Sequence, residues 1–227
     1  MESNSKADLL VRTRPTLAYV APFAVYVGLM AVPLPPLIAH SARFLITLAV
    51  IAVLSRPFLN WRPSYPLTSA ALGIAVFLIW IGPDLLFGYR HHWLFENRIM
   101  GNAVTSVAPS LEHNALFLTV RMLTTAGLVP VLEELFWRGW LMRWLIDNRD
   151  FLKVPLGTYQ PLAFWLVAVL FASEHGPYWE VGLLAGIVYN WWIVRTRNLA
   201  DCILAHAVTN AALGIYVISN GQWQYWL

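Results

Sequence analysis

Apolar residues in this chain come in long blocks, broken by prolines, glycines and short charged segments. The blocks predict helices at about 16–32, 42–54, 67–81, 114–146, 161–173, 181–194 and 199–219. Pro33, Pro35 and Pro36 stop the first, Arg56–Pro57 and Arg62–Pro63 close the second, and Gly82–Pro83–Asp84 ends the third. Residues 85–113 mix Arg90, His91, His92, Glu96 and Arg98 with aromatics and read as an interfacial loop with room for an amphipathic helix. Ser110-Leu-Glu-His113 is a weak capping cue for the next helix. The block 114–146 would be about 50 Å long as one helix, more than an ordinary span needs. Gly127 and Pro130 mark the expected break or kink in it.

Composition turns these blocks into membrane spans. The 227 residues are 59% hydrophobic and 12% charged, with a mean hydropathy of +0.58. A soluble domain carries about 25% charged residues. The expectation is an all-α, polytopic transmembrane bundle of about seven to eight membrane helices. It forms one domain over residues 1–227, with a functional core at about 114–219. Many of the twelve tryptophans stand near block ends, as in interfacial belts. The net charge of +3 does not indicate nucleic acid, because the basic residues sit in short loops between apolar blocks. Residues 1–15 predict a short polar tail, and the apolar block after Arg12 and Arg14 reads as an uncleaved first span. Basic residues 56, 62, 138, 143, 149, 153, 195 and 197 would line one side and Arg43, Arg90 and Arg98 the other, which predicts a cytoplasmic N-terminus.

Three polar groups interrupt the apolar blocks. Glu133, Glu134 and Arg138 lie inside the longest one. An ionisable side chain in hydrocarbon costs at least about 2.5 kcal/mol, so such residues are functional candidates by default. Glu134 and Arg138 stand at i and i+4, the favourable order for an ion pair. Glu133 is rotated about 100° away with no basic partner at that spacing. One carboxylate is thus expected to be paired and the other free for chemistry. Phe171 and His175 close a later block, where a plain water boundary is the simpler reading. His206 and Asn210 share a face at i,i+4 in the last block, where a helix-locking hydrogen bond is the simpler reading. Together they make a chemical set. Glu133 suits a general base, His175 a partner for its proton or for the attacking water, and His206 and Asn210 donors to an oxyanion. Glu134–Arg138 would support the helix that presents Glu133.

The ordered set Glu-Glu-x-x-x-Arg, Phe-x-x-x-His and His-x-x-x-Asn resembles the CAAX-protease and bacteriocin-processing (CPBP, or Abi) family of intramembrane glutamate proteases. The match is residue for residue at Glu133, Glu134, Arg138, Phe171, His175, His206 and Asn210. The resemblance implies a helical, metal-independent peptidase in which Glu133 and His175 activate water and His206 and Asn210 form the oxyanion side. It implies a membrane protein or a lipidated or membrane-proximal peptide as substrate, and a multi-pass place in the bacterial inner membrane. The wording Phe-Trp-Arg-Gly-Trp, with Tyr189-Asn-Trp-Trp later, is similar to a bacterial branch associated with exosortase sorting systems.

Rival readings use the same residues. Glu133, His175 and His206 could ligate zinc, although no His-Glu-x-x-His is present. Cys202, the single cysteine, stands at i,i+4 from His206 as a possible nucleophile–base pair. A non-enzymatic binding or immunity protein, or a small transporter, could use intramembrane Glu, His and Arg, with Arg121 and Asn190 along a path. Arg121 has Glu112, a lipid headgroup or substrate as candidate partners. Glu174 either tunes His175 or faces water.

Overall fold

The computed structural model describes residues 14–105 and 107–226; the tail expected before residue 14 lies outside them. Seven α-helical rods and no strand occur among the described residues. They are α1 (Pro15–Met30), α2 (Pro36–Phe58), α3 (Pro66–Phe87), α4 (Ala115–Trp144), α5 (Pro161–Ser173), α6 (Trp179–Thr196) and α7 (Leu199–Asn220). Four of them, α2, α3, α4 and α7, are long and apolar enough to cross a membrane, and α1 and α5 are shorter apolar helices. α1, α2, α3 and α5 each open on a proline, where the missing N–H leaves no ladder bond unmade.

α3 lies along α7, and α5 along α6. Gly73 makes the first contact possible. A Cβ there would collide with the Ala205 carbonyl and stand 2.8 Å from Val208 Cβ. α7 also holds the start of α3. The Asp201 carboxylate accepts hydrogen bonds from the backbone N–H groups of Ser64 (3.0 Å) and Tyr65 (2.8 Å) and from Ser69 Oγ (3.0 Å). Those donors would otherwise be unsatisfied at the helix N-terminus. Gly73→Ala is therefore expected to destabilise the fold by about 1–3 kcal/mol through overpacking, read as a lower melting temperature of the detergent-purified protein.

Three local expectations are corrected. α3 continues through Gly82 and Pro83 to Phe87, where Gly88 caps it at φ +59°. A proline removes one ladder bond only, and the added turn is anchored at Asp84, which accepts from Tyr225 Oη at 3.0 Å. The loop after α3 holds no amphipathic helix among the described residues; it has turns, an isolated Asn97–Gly101 bridge and a 3-10 turn at Pro109–Leu111. Arg90 pins it, 2.7 Å from Glu180 and 2.9 Å from the Pro177 carbonyl. The cap of α4 is Asn114, whose side chain accepts from the Phe117 N–H at 3.0 Å, and not Ser110.

The largest correction concerns the break expected in α4, which runs as one continuous helix past Gly127 and Pro130. Its 30 residues span about 45 Å. It absorbs the proline by widening into a π turn at Leu123–Leu128, and a second π turn follows at Leu135–Leu141. In the first turn the Val129 N–H bonds to the Thr124 carbonyl. The carbonyl of Thr125 would next need the N–H of residue 130, which proline lacks. Asn210 Nδ2 of α7 fills that place at 2.8 Å. Arg138 and Arg143, expected at a loop, are instead buried within α4. Arg143 donates to the carbonyls of Gly139 and Val154 and lies over the rings of Tyr19 and Phe151.

Candidate active site

The three polar motifs converge. Glu133, His175, His206 and Asn210 line one cavity of about 490 Å³, together with Glu174, Arg121, Trp80 and Tyr189. α4 supplies Glu133, the junction after α5 supplies His175, and α7 supplies His206 and Asn210.

The two adjacent glutamates part as their helical spacing predicts. The Glu134 side chain is wholly buried, while that of Glu133 keeps 16% of its exposure, toward the cavity. Arg138 reaches Glu134 Oε1 at 3.0 Å through Nη1, Asn190 Oδ1 at 2.9 Å through Nε and the Gly186 carbonyl at 3.3 Å through Nη2. Its guanidinium also lies 4.6 Å from the centre of the Phe171 ring. A buried ion pair holds only when its remaining donors are satisfied, and here three directions are used at once. Asn190 in turn donates to the Phe164 carbonyl at 2.8 Å. It is a clamp on Arg138 and does not line the cavity, contrary to the transport-path reading.

His206 joins both glutamates. Its Nδ1 is 3.0 Å from Glu134 Oε1 and its Nε2 is 3.9 Å from Glu133 Oε2. A carboxylate accepts only, so Nδ1 carries the proton. Nε2 then faces Glu133 and the cavity, and it donates only when the ring carries both protons. The ring is stacked on Tyr189, centroids 5.1 Å apart, and Tyr189 Oη donates to Thr209 Oγ1 at 2.8 Å. Glu133 Oε2 is buried with no hydrogen-bond partner. A lone carboxylate oxygen held in this way is ready to accept a proton from a ligand or water.

His175 is fixed by its own helix end. Nδ1 lies 2.8 Å from the Phe171 carbonyl, so that nitrogen donates and Nε2 is left as an acceptor. The rings of Phe171 and Trp80 flank it at 4.8 and 5.2 Å. Desolvation among them draws its pKa down to about 4, so at neutral pH it is an acceptor and not a cation. Gly182 makes room for the ring, since a Cβ there would lie 3.0 Å from it. Glu174 accepts from Trp137 Nε1 at 3.2 Å and lines the same cavity.

The structure separates the remaining candidates. Asn210 spends one N–H on the Thr125 carbonyl, which leaves its second for a ligand. Cys202 is buried, does not line the cavity, and directs Sγ to the Tyr189 carbonyl at 3.7 Å. The shared i,i+4 face with His206 therefore makes no nucleophile–base pair. No group of three His, Cys, Asp or Glu side chains among the described residues is placed to hold a metal ion. Sequence reasoning passed over Tyr189, Thr209, Trp80 and Gly182, whose partners lie on other helices; Tyr189 appeared there only inside an aromatic string.

Residues 115–212 match the family described as type II CAAX prenyl endopeptidase Rce1-like. This interval contains every residue of the three motifs. Comparisons with curated proteins and with solved structures return no match.

Proposed function

Since the chain belongs to the CAAX-protease family through residues 115–212, we propose that it is an intramembrane, metal-independent glutamate endopeptidase cutting a peptide bond near the bilayer. The single observation that supports this most is the convergence of Glu133, His175, His206 and Asn210 on one cavity. In this reading Glu133 takes a proton from a water that His175 Nε2 also holds. The hydroxide adds to the scissile carbonyl, and the oxyanion accepts hydrogen bonds from Asn210 and from doubly protonated His206. Glu133 then returns its proton to the amide nitrogen as the C–N bond breaks, so a carboxylic acid and an amine leave, the acid gives its proton to the amine, and the enzyme is restored. Glu134–Arg138 keeps α4 and His206 in place without touching substrate. The substrate in this reading is a membrane protein or a lipidated or membrane-proximal peptide. The zinc alternative is separated from this one by a chelator: cleavage that persists through dialysis against 1,10-phenanthroline supports the glutamate mechanism, and loss restored by zinc sinks it.

The same proposal places the chain as a multi-pass protein of the bacterial inner membrane with its N-terminus in the cytoplasm. With Arg138 and Arg143 removed from the count, Arg56, Arg62, Arg149, Lys153, Arg195 and Arg197, in loops or at helix ends, still oppose Arg90 and Arg98 in the loop after α3. The single native cysteine is buried, so introduced cysteines report cleanly. Lys153→Cys in intact cells is expected to resist a membrane-impermeant maleimide and to react once the cells are opened. Labelling from outside reverses the orientation.

A further inference from the structure

A second cavity, of about 440 Å³, adjoins the first between the end of α1, the start of α2 and α4. Tyr26, Met30, Arg121 and Thr125 lie in the walls of both. Its polar lining is Tyr26, His40, Arg43, Arg121, Thr124 and Thr125, and no carboxylate belongs to it. The two threonine hydroxyls are turned back to carbonyls of their own helix. His40 places Nδ1 2.8 Å from the Pro36 carbonyl and takes Arg121 Nη1 on Nε2 at 3.1 Å. It steers one guanidinium and adds no charge of its own.

Arg43 carries the argument. It sits in α2, a helix apolar and long enough to cross a membrane. Its hydrogen bonds run to the Ala39 carbonyl at 3.3 Å and to Tyr26, while His40 Nδ1, 3.4 Å away, carries a proton of its own and accepts nothing from it. No carboxylate of the described residues stands within 4 Å of it. A cation inside a membrane helix is retained when something compensates it, and the bonds here are all to neutral groups. The guanidinium of Arg121 lines the same space and adds to its positive potential, whatever else it touches. Around them Leu29, Met30, Val32 and Leu34 give an apolar wall, and Met30, Val32 and Leu34 are exposed on its outer side.

We propose that this second cavity binds an anionic oxygen acid, a carboxylate or a phosphate carried on an apolar chain, through Arg43 and Arg121. Planar guanidinium groups match such oxygens in charge and shape. Two sources share this chemistry: the C-terminal carboxylate of a membrane peptide and the phosphate of a bilayer lipid. The site does not depend on the peptidase reading, since neither arginine is given a part in hydrolysis.

The test is direct binding to the full-length, detergent-purified protein. Dodecyl phosphate and lauroylglycine are the anionic probes, and lauroylglycinamide is the uncharged one. Both anions are expected to bind about tenfold more tightly than the amide. Arg43→Gln should erase that preference, and Arg43→Lys should keep part of it, so that a poorly folding glutamine variant does not hide the answer. Glu133→Gln should bind the anions at least as well as the wild type, which separates this site from the catalytic one. Nanodiscs then assign the source. If phosphatidylglycerol weakens lauroylglycine binding relative to a phosphate-free galactolipid, lipid phosphate is the resident ligand. If the two bilayers give equal affinity, a peptide carboxylate is. Equal binding of anions and amide by the wild type, or an unchanged preference in Arg43→Gln, overturns the proposal.

Discussion

Glu133→Gln is expected to lower peptide hydrolysis by about 10²–10⁴-fold, the range a positioned general base supplies, and to leave the protein folded. The reason is the asymmetry of the glutamate pair. Each carboxylate keeps Oε2 without a hydrogen bond, but Glu134 is held through Oε1 by Arg138 and His206 away from the cavity, whereas Glu133 presents its unpartnered oxygen at the cavity wall. Glutamine keeps the volume and one acceptor but takes no proton from water. The measurement is a comparison of wild type and variant on a membrane-protein substrate, found as a species that accumulates uncut in a deletion strain. Accumulation in the Glu133→Gln strain as well, with the protein present at normal level, supports the glutamate mechanism. Full complementation by a folded Glu133→Gln protein refutes hydrolysis by this residue and returns the cavity to a binding role.

The second large effect falls on stability. Arg138→Met should cost about 3–5 kcal/mol, because removing one partner leaves a buried carboxylate uncompensated. Glu134 would lose its cation, Asn190 Oδ1 its donor and the Gly186 carbonyl a third bond. Arg138→Lys should recover only part of the loss, since an ammonium lacks the fixed fork that serves three acceptors. Thermal unfolding in detergent reads both variants, and the expected order of melting temperatures is wild type, lysine, methionine. A methionine variant melting with the wild type would mean that the ion pair contributes nothing net. His206 would also lose orientation, because the glutamate that holds its Nδ1 is the one Arg138 anchors.

These two residues show how far the sequence can be read. The Glu134–Arg138 bond is local, four positions apart on one helix, and spacing alone predicts it. The Arg138–Asn190 bond joins residues on α4 and α6, and nothing in either segment names the other. The membrane bundle was legible because apolar blocks need no knowledge of partners. The passage of α4 through Pro130 was not, because a proline usually ends or kinks a helix, and here a side chain from α7 satisfies the carbonyl left over. Likewise Cys202 and His206 share a face by spacing, yet a face is wider than a side chain. One turns to Tyr189 and the other to the glutamates of α4. The motif residues themselves were readable because each is a charge or an imidazole where hydrocarbon disfavours it. Their supporting rings and glycines carry no such mark.

The bond from Asn210 to the proline-orphaned carbonyl has a mechanical consequence. With the His206–Glu134 contact it rivets α4 to α7 at two heights, so that seam cannot slide or spread without breaking buried polar bonds. α1 meets α4 differently, through the rings of Phe23, Phe136 and Trp137, with Phe23 stacked 4.2 Å from Phe136. The seam that carries the chemistry is thus held by directional polar bonds, whereas α1 is held to α4 by aromatic contacts and by Arg143 over the Tyr19 ring.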